Sequence, residues 1–198
     1  MLCCKQNKKI IFASSAAVYG DSKVIPVKEN GETKPQSSYG QSKLDAEKII
    51  AQTCKDNNIN YVILRMFNVY GKGQNDQYAG VITKFLRNII DDKPLIIYGD
   101  GEQTRDFVSI NDVVNAFDCA IRSEKNGTYN IAGGESLSIN SLAEVMLDVF
   151  GKKLEIIHKE MQKGDIRHSV ADVSFAASEL GFSATRKLKD ELSSIYHE

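Results

Sequence analysis

The chain alternates between short apolar runs and longer stretches in which apolar residues return every three or four positions. Residues 9–13, KIIFA, read as a buried strand, because β-branched and aromatic side chains crowd together before Ser, Ala and Gly end the run. Residues 21–38 hold Pro26, Gly31 and Pro35 and read as an irregular loop. Residues 39–56 read as a helix. Leu44, Ala46, Ile49, Ile50 and Ala51 recur near helical spacing, and Asp45 and Glu47 are taken to sit early, where the helix dipole favours anions. Asn57 and Asn58 stop that helix, and residues 61–65 form the next strand. Further on, the pattern predicts a helix over 78–90, a strand over 95–98 and an extended segment over 105–109. Asn111 or Asp112 is expected to cap a helix running to about residue 121. A strand over 128–131, a helix over 138–150 ended by Gly151, and a strand over 154–157 complete the series. Strands alternating with helices predict an α/β protein with a largely parallel sheet.

Composition adds limits rather than detail. A chain of 198 residues, 42% hydrophobic and 26% charged, is long and apolar enough for an ordered core. Lys and Arg number 25 against 26 Asp and Glu, so the net charge of −1 argues against a nucleic-acid binder. No apolar stretch approaches the ~18 residues of a membrane span. The start, MLCCKQNKK, lacks the apolar core of a signal peptide. Cys3, Cys4, Cys54 and Cys119 form no C-x-x-C, and His158, His168 and His197 are not at metal-ligand spacing. Neither a zinc site nor a disulfide framework is expected, and reduced thiols in a cytoplasmic protein are. Residues 2–7 read like the last turn of a helix that began upstream. Fourteen glycines are present, yet no G-x-G-x-x-G follows a strand; the Gly71–Gly73 and Gly99–Gly101 segments lack the third glycine and the strand-to-helix setting.

Tyr39 and Lys43 carry the candidate chemistry. Four residues apart on a predicted helix, they share one face. A nearby ammonium favours phenolate, and such a pair can move a proton to or from a substrate hydroxyl. Alone, the pair is equally consistent with a solvated helix face. Tyr19 and Lys23 repeat the spacing, but across a predicted loop. Ser14 and Ser15 follow the first strand at its C-terminal end, where open α/β sheets place their ligands, although a plain polar strand terminus reads the same way.

Six motifs occur in order: IIFASSAAVYG, YGQSK, LRMFNVYG, IIYGDGEQTRDFVSINDVV, YNIAGGE and KGDIRHSVAD. Together they resemble the extended short-chain dehydrogenase/reductase superfamily (the NAD-dependent epimerase/dehydratase family). They look most like its nucleotide-sugar epimerases, the UDP-glucose and UDP-N-acetylglucosamine 4-epimerase group. The resemblance implies the C-terminal portion of a Rossmann-type parallel sheet, interleaved with a small α/β substrate domain. Residues 1–68 and 105–132 would be the remainder of the NAD-binding domain, and 69–104 and 133–198 the nucleotide-sugar domain. It implies an isomerase with NAD as cofactor, acting through a transient 4-keto sugar. Ser15, Tyr39 and Lys43 would be catalytic, with Tyr39 as base. Ser14, Phe67, Tyr39 and Lys43 would face the cofactor. Ser15, Asn68, Tyr98, Arg105, Asp165 and Ser169 would face the UDP-sugar.

Finer expectations follow from the same likeness. Sugar dehydratases carry an Asp-Glu pair where this chain has Ala16 and Ala17, which disfavours water elimination; a reductase is harder to set aside. Ser169 stands at the family's gate beside the sugar 2-substituent, and a small residue there admits N-acetyl sugars. Asn68 could instead be a turn former, Arg105 a surface partner of Asp106, Asp165 a turn stabiliser and Tyr98 a core residue. Gln162 replaces a common arginine, a loss that Lys163 or Arg167 could partly cover. The N-terminal half of the cofactor domain, with its glycine-rich turn, is missing from the match. Little or no activity is therefore expected of these residues alone, and a non-catalytic fragment is the rival reading. A full-length relative would pair through the Tyr39 helix as a homodimer.

Overall fold

The computed structural model describes residues 8–73, 80–162 and 164–196. Residues 2–7 and 78–79, Cys3, Cys4, Lys163 and His197, all named above, lie outside them.

The first strand, β1 (Ile10–Ser15), leaves through a single 3-10 turn, Ala16–Val18, into the expected irregular loop. Helix α1 (Ser38–Asp56) follows, with Ser37 as its N-cap: the Ser37 hydroxyl accepts the Gly40 N–H at 3.0 Å. Strand β2 (Tyr61–Met66) runs parallel to β1, Ile10 opposite Tyr61, and β7 (Gly127–Ile131) runs parallel to β2, Val62 opposite Gly127. In this sheet, ordered β1-β2-β7, the central strand β2 is buried from Val62 to Arg65, which is why it reads as a near-continuous apolar run. Alternate residues of β2 divide the two faces. Val62 and Leu64 join the core built with α3 (Ile110–Arg122), while Arg65 meets α1 on the other side. Among the described residues the far edge of β1 pairs with no strand.

The second lobe has its own core. Helices α2 (Val81–Ile90), α4 (Ile139–Val149) and α5 (Leu188–Tyr196) pack around strands β4 (Leu95–Tyr98) and β9 (Ile156–Lys159) through Phe85, Ile89, Leu95, Leu142 and Met146. A small sheet places β5 (Thr104–Arg105) between β10 (His168–Ser169) and β8 (Leu137–Ser138). Strands β3 (Asn68–Tyr70) and β6 (Phe107–Ser109) pair in parallel and stitch the lobes together, since Val108 belongs to the first core and Tyr70 to the second. The chain then returns: Ala176, Leu180 and Phe182 pack back into the first core before α5 closes the second.

The structure corrects several local expectations. Segment 105–109 is extended as expected, but falls into two strands on either side of Asp106. Ser109, not Asn111 or Asp112, caps α3, its hydroxyl accepting the Asn111 N–H at 3.1 Å, while the Asp112 carboxylate accepts the Arg186 N–H at 3.0 Å. Asp45 and Glu47 are not in the first turn of α1, which carries no acid, so the helix dipole cannot account for them. The strand expected over 154–157 lies at Ile156–Lys159, two residues later than the pattern indicates.

Candidate active site

Strand β1 ends at Ser15, whose hydroxyl accepts the Ala17 N–H at 3.2 Å and so opens the turn that follows. The first turn of α1 is pressed against that turn. A Cβ on Gly40 would stand 2.6 Å from the Ala17 carbonyl oxygen, so the glycine beside Tyr39 is what allows this approach. Lys43 anchors the helix further: its Nζ donates to the Ala13 carbonyl at 2.9 Å and lies 5.6 Å from the centre of the Tyr39 ring. The same ammonium is 5.1 Å from the Phe12 ring centre. Tyr39 itself is 56% exposed. Ser15 thus ends β1 beside the first turn of α1, which carries Tyr39, and Lys43 reaches back to β1 at Ala13. Ser14 is buried with its hydroxyl turned to Glu47. Phe67 is packed in a small apolar cluster with Tyr19, Leu44 and Ala132.

A second group of residues lines a cleft of about 380 Å³ in the other lobe. Asn68, Tyr98, Arg105 and Asp165 all border it. Arg105 does not pair with Asp106; its Nη2 donates to Asp165 at 2.6 Å, and Nη1 donates to its neighbour's carbonyl. Burial lowers the Arg105 pKa from its ordinary value, and Asp165 pulls the other way. Asn68 donates through Nδ2 to the Asp106 carbonyl at 2.9 Å, and Tyr98 offers a partly exposed ring. Ser169 does not border the cleft but is paired in register with Arg105. Gln162 borders it, whereas Arg167 is committed to Asp100 at 2.7 and 3.0 Å and does not supply the missing charge. The N-terminus of α2 supplies positive character that the sequence did not reveal. Gly80, Val81 and Lys84 line the cleft, so the positive end of that helix's dipole borders it.

Asp106 was also missed. It is fully buried, and its carboxylate accepts the N–H groups of Gly133 at 2.7 Å, Gly134 at 3.1 Å and Ala171 at 3.2 Å, tying the end of β7 to the segment after β10. Burial nevertheless pushes its carboxyl up to about 6, from an ordinary 3.8, against those donors. A raised carboxyl pKa means that folding takes up a proton, so this group's contribution to stability grows as pH falls through 6 toward 4. Between pH 7 and pH 5 the difference is about 1 kcal/mol in favour of the acid side. Urea melts of the native chain minus those of Asp106→Asn, at both pH values, are expected to reveal it. A difference that stays flat or reverses sign would reject the assignment.

Among the described residues no cluster of His, Cys, Asp or Glu is arranged for a metal ion, and no helix is long and apolar enough to cross a membrane. Residues 1–132 match the NAD dependent epimerase/dehydratase family. A putative UDP-glucose 4-epimerase of Methanocaldococcus jannaschii is 38% identical over 94% of this chain and 61% of its own length. A dTDP-4-dehydro-6-deoxyglucose reductase of Escherichia coli is 36% identical over 95% of this chain and 60% of its own. The solved UDP-N-acetylglucosamine 4-epimerase of Methanobrevibacter ruminantium, in complex with UDP-N-acetylmuramic acid, superposes with a TM-score of 0.93 at 36% identity, over 98% of this chain and 64% of that one. The chain thus spans about three fifths of the length of the proteins it matches.

Proposed function

The chain belongs to the NAD dependent epimerase/dehydratase family, and on that premise we propose that it serves a nucleotide-sugar 4-epimerase. Its substrates would be UDP-glucose and UDP-galactose and, because Ser169 is small, their N-acetylated forms. The observation that carries the reading is the cleft that gathers Asn68, Tyr98, Arg105 and Asp165 beside the start of α2. Its chemistry suits a nucleoside diphosphate: a guanidinium and the positive end of a helix dipole for the diphosphate, a carboxylate for ribose hydroxyls, and an aromatic face for the base.

In this reading Tyr39 takes the proton from the sugar 4-hydroxyl and returns it, Ser15 holds that oxygen by a hydrogen bond, and the Lys43 ammonium lies over the Tyr39 ring. NAD, when bound, supplies the hydride acceptor and donor for C4. Lys43, whose Nζ lies 5.6 Å from the centre of the Tyr39 ring, and Tyr39 would hold its nicotinamide-ribose end. These 198 residues contain no glycine-rich strand-to-helix turn for a pyrophosphate. Holding the diphosphate rather than the sugar leaves the 4-keto intermediate able to present either face. Pairing of two copies would use the outer side of α1, where Ile49 is exposed.

The likeness to the reductase favours a second reading, in which the same proton relay serves one-way reduction of a 4-keto sugar. Proton NMR of the NAD-loaded protein with UDP-galactose separates the two. Accumulating UDP-glucose with no net NADH consumption supports epimerisation, and stoichiometric NADH loss with a 4-keto substrate supports reduction. Absence of UDP binding by calorimetry would remove both.

A further inference from the structure

The Tyr39–Lys43 face of α1 continues one turn deeper to Glu47, which is only 5% exposed. The Glu47 carboxylate accepts the Ser14 hydroxyl and grips Arg65 of β2 with both oxygens, Nη2 to Oε2 at 2.7 Å and Nε to Oε1 at 3.0 Å. Arg65 is 6% exposed and lies in the middle of a buried sheet. Its remaining nitrogen, Nη1, donates to the Tyr19 hydroxyl at 2.9 Å and to the Glu29 carbonyl at 3.0 Å. Tyr19 in turn donates to Asn130 Oδ1 of β7 at 2.6 Å. One guanidinium thus joins β2 to α1, to the end of β1 through Ser14, and to both ends of the loop segment 19–29.

An ion pair this deep loses so much hydration that stability is a weak reason to keep it. What it does supply is direction. An apolar helix face tolerates sliding or rotation over a sheet, whereas a forked guanidinium–carboxylate pair accepts one geometry. Ser14, which Glu47 grips, is the residue next to Ser15. We infer that Glu47 and Arg65 are positioning residues: they fix the height of α1 against β1, and so the place of Tyr39 and Lys43 at the end of that strand, and they hold residues 19–29 to the same anchor. The role of Tyr39 rests on the function proposed above, but the geometric claim does not.

Arg65→Lys separates this from a general contribution to folding. The lysine keeps a positive charge opposite Glu47 but cannot bridge to Tyr19 and Glu29 at once. In the full chain, hydrogen exchange read by mass spectrometry is expected to rise at least tenfold in residues 19–29 and in residues 38–45. Exchange in α2 and α4, and the affinity for UDP, should stay unchanged. In an NAD-loaded preparation kcat should fall at constant KM. A uniform rise across both lobes, no rise at 19–29 and 38–45, or a loss carried by KM would overturn the inference. Should Arg65→Lys not fold, Tyr19→Phe removes only the bridging hydroxyl, and a rise in exchange confined to 19–29 is expected; no rise there would count against the anchor. If native protein fails to bind UDP, the reading of the cleft falls while the exchange result still decides this one.

Discussion

Tyr39→Phe is expected to lower the interconversion of UDP-glucose and UDP-galactose by about 10³-fold while leaving UDP affinity unchanged. The substitution removes one oxygen, the atom assigned to carry the proton, and a positioned acid or base contributes on the order of 10² to 10⁴ in rate. Tyr39 is largely exposed and does not border the cleft, so stability should move by no more than ~0.5 kcal/mol. The comparison is made in a chain extended to the length of its relatives and loaded with NAD, with turnover followed by NMR and UDP binding by calorimetry. If more than a tenth of the turnover survives, another group moves the proton. If turnover and UDP affinity fall together, the side chain binds rather than reacts.

Arg105→Ala should weaken UDP binding by about 100-fold, or about 2.7 kcal/mol. That is the range for losing hydrogen bonds to a charged group. The substitution also strands the Asp165 carboxylate, now 2.6 Å from Nη2, beside an incoming dianion. Arg105→Lys restores the charge without the fork and should recover only about half of the lost free energy. Calorimetry with UDP on the chain as it stands reads both variants. A change below threefold for the alanine variant would place the diphosphate elsewhere, the start of α2 being the first alternative.

The legible parts of this molecule were those that repeat. Periodic apolar residues located α1, β2 and β4 within a residue or two, since buried faces enforce their spacing over several turns or pleats. The Tyr39–Lys43 spacing was legible for the same reason. What escaped was single-residue chemistry at long range. Glu47 passed as a dipole-stabilising acid, although its place two turns below Tyr39 on one stripe was a usable signal. Arg65 stood as a lone charge inside VILRM, and a charge in a run buried on both faces demands a partner. Asp106 gave no such warning, because nothing local announces that a carboxylate will be met by N–H groups of residues 133 and 171. Strands of two or three residues, such as β5, β8 and β10, are too short for any period to register.

The way the chain passes back and forth between its two cores has a practical consequence for engineering. Residues near 64, 108, 131 and 180 build one core, and residues near 85, 97, 142 and 192 build the other. No single cut frees the second lobe, so it cannot be transplanted between relatives as one cassette; a chimera needs several matched junctions at once. Contacts between such distant stretches also slow the search for the native topology. Variants altered at β3 or β6, where the two halves are sewn together, should be judged by refolding yield as well as by melting temperature.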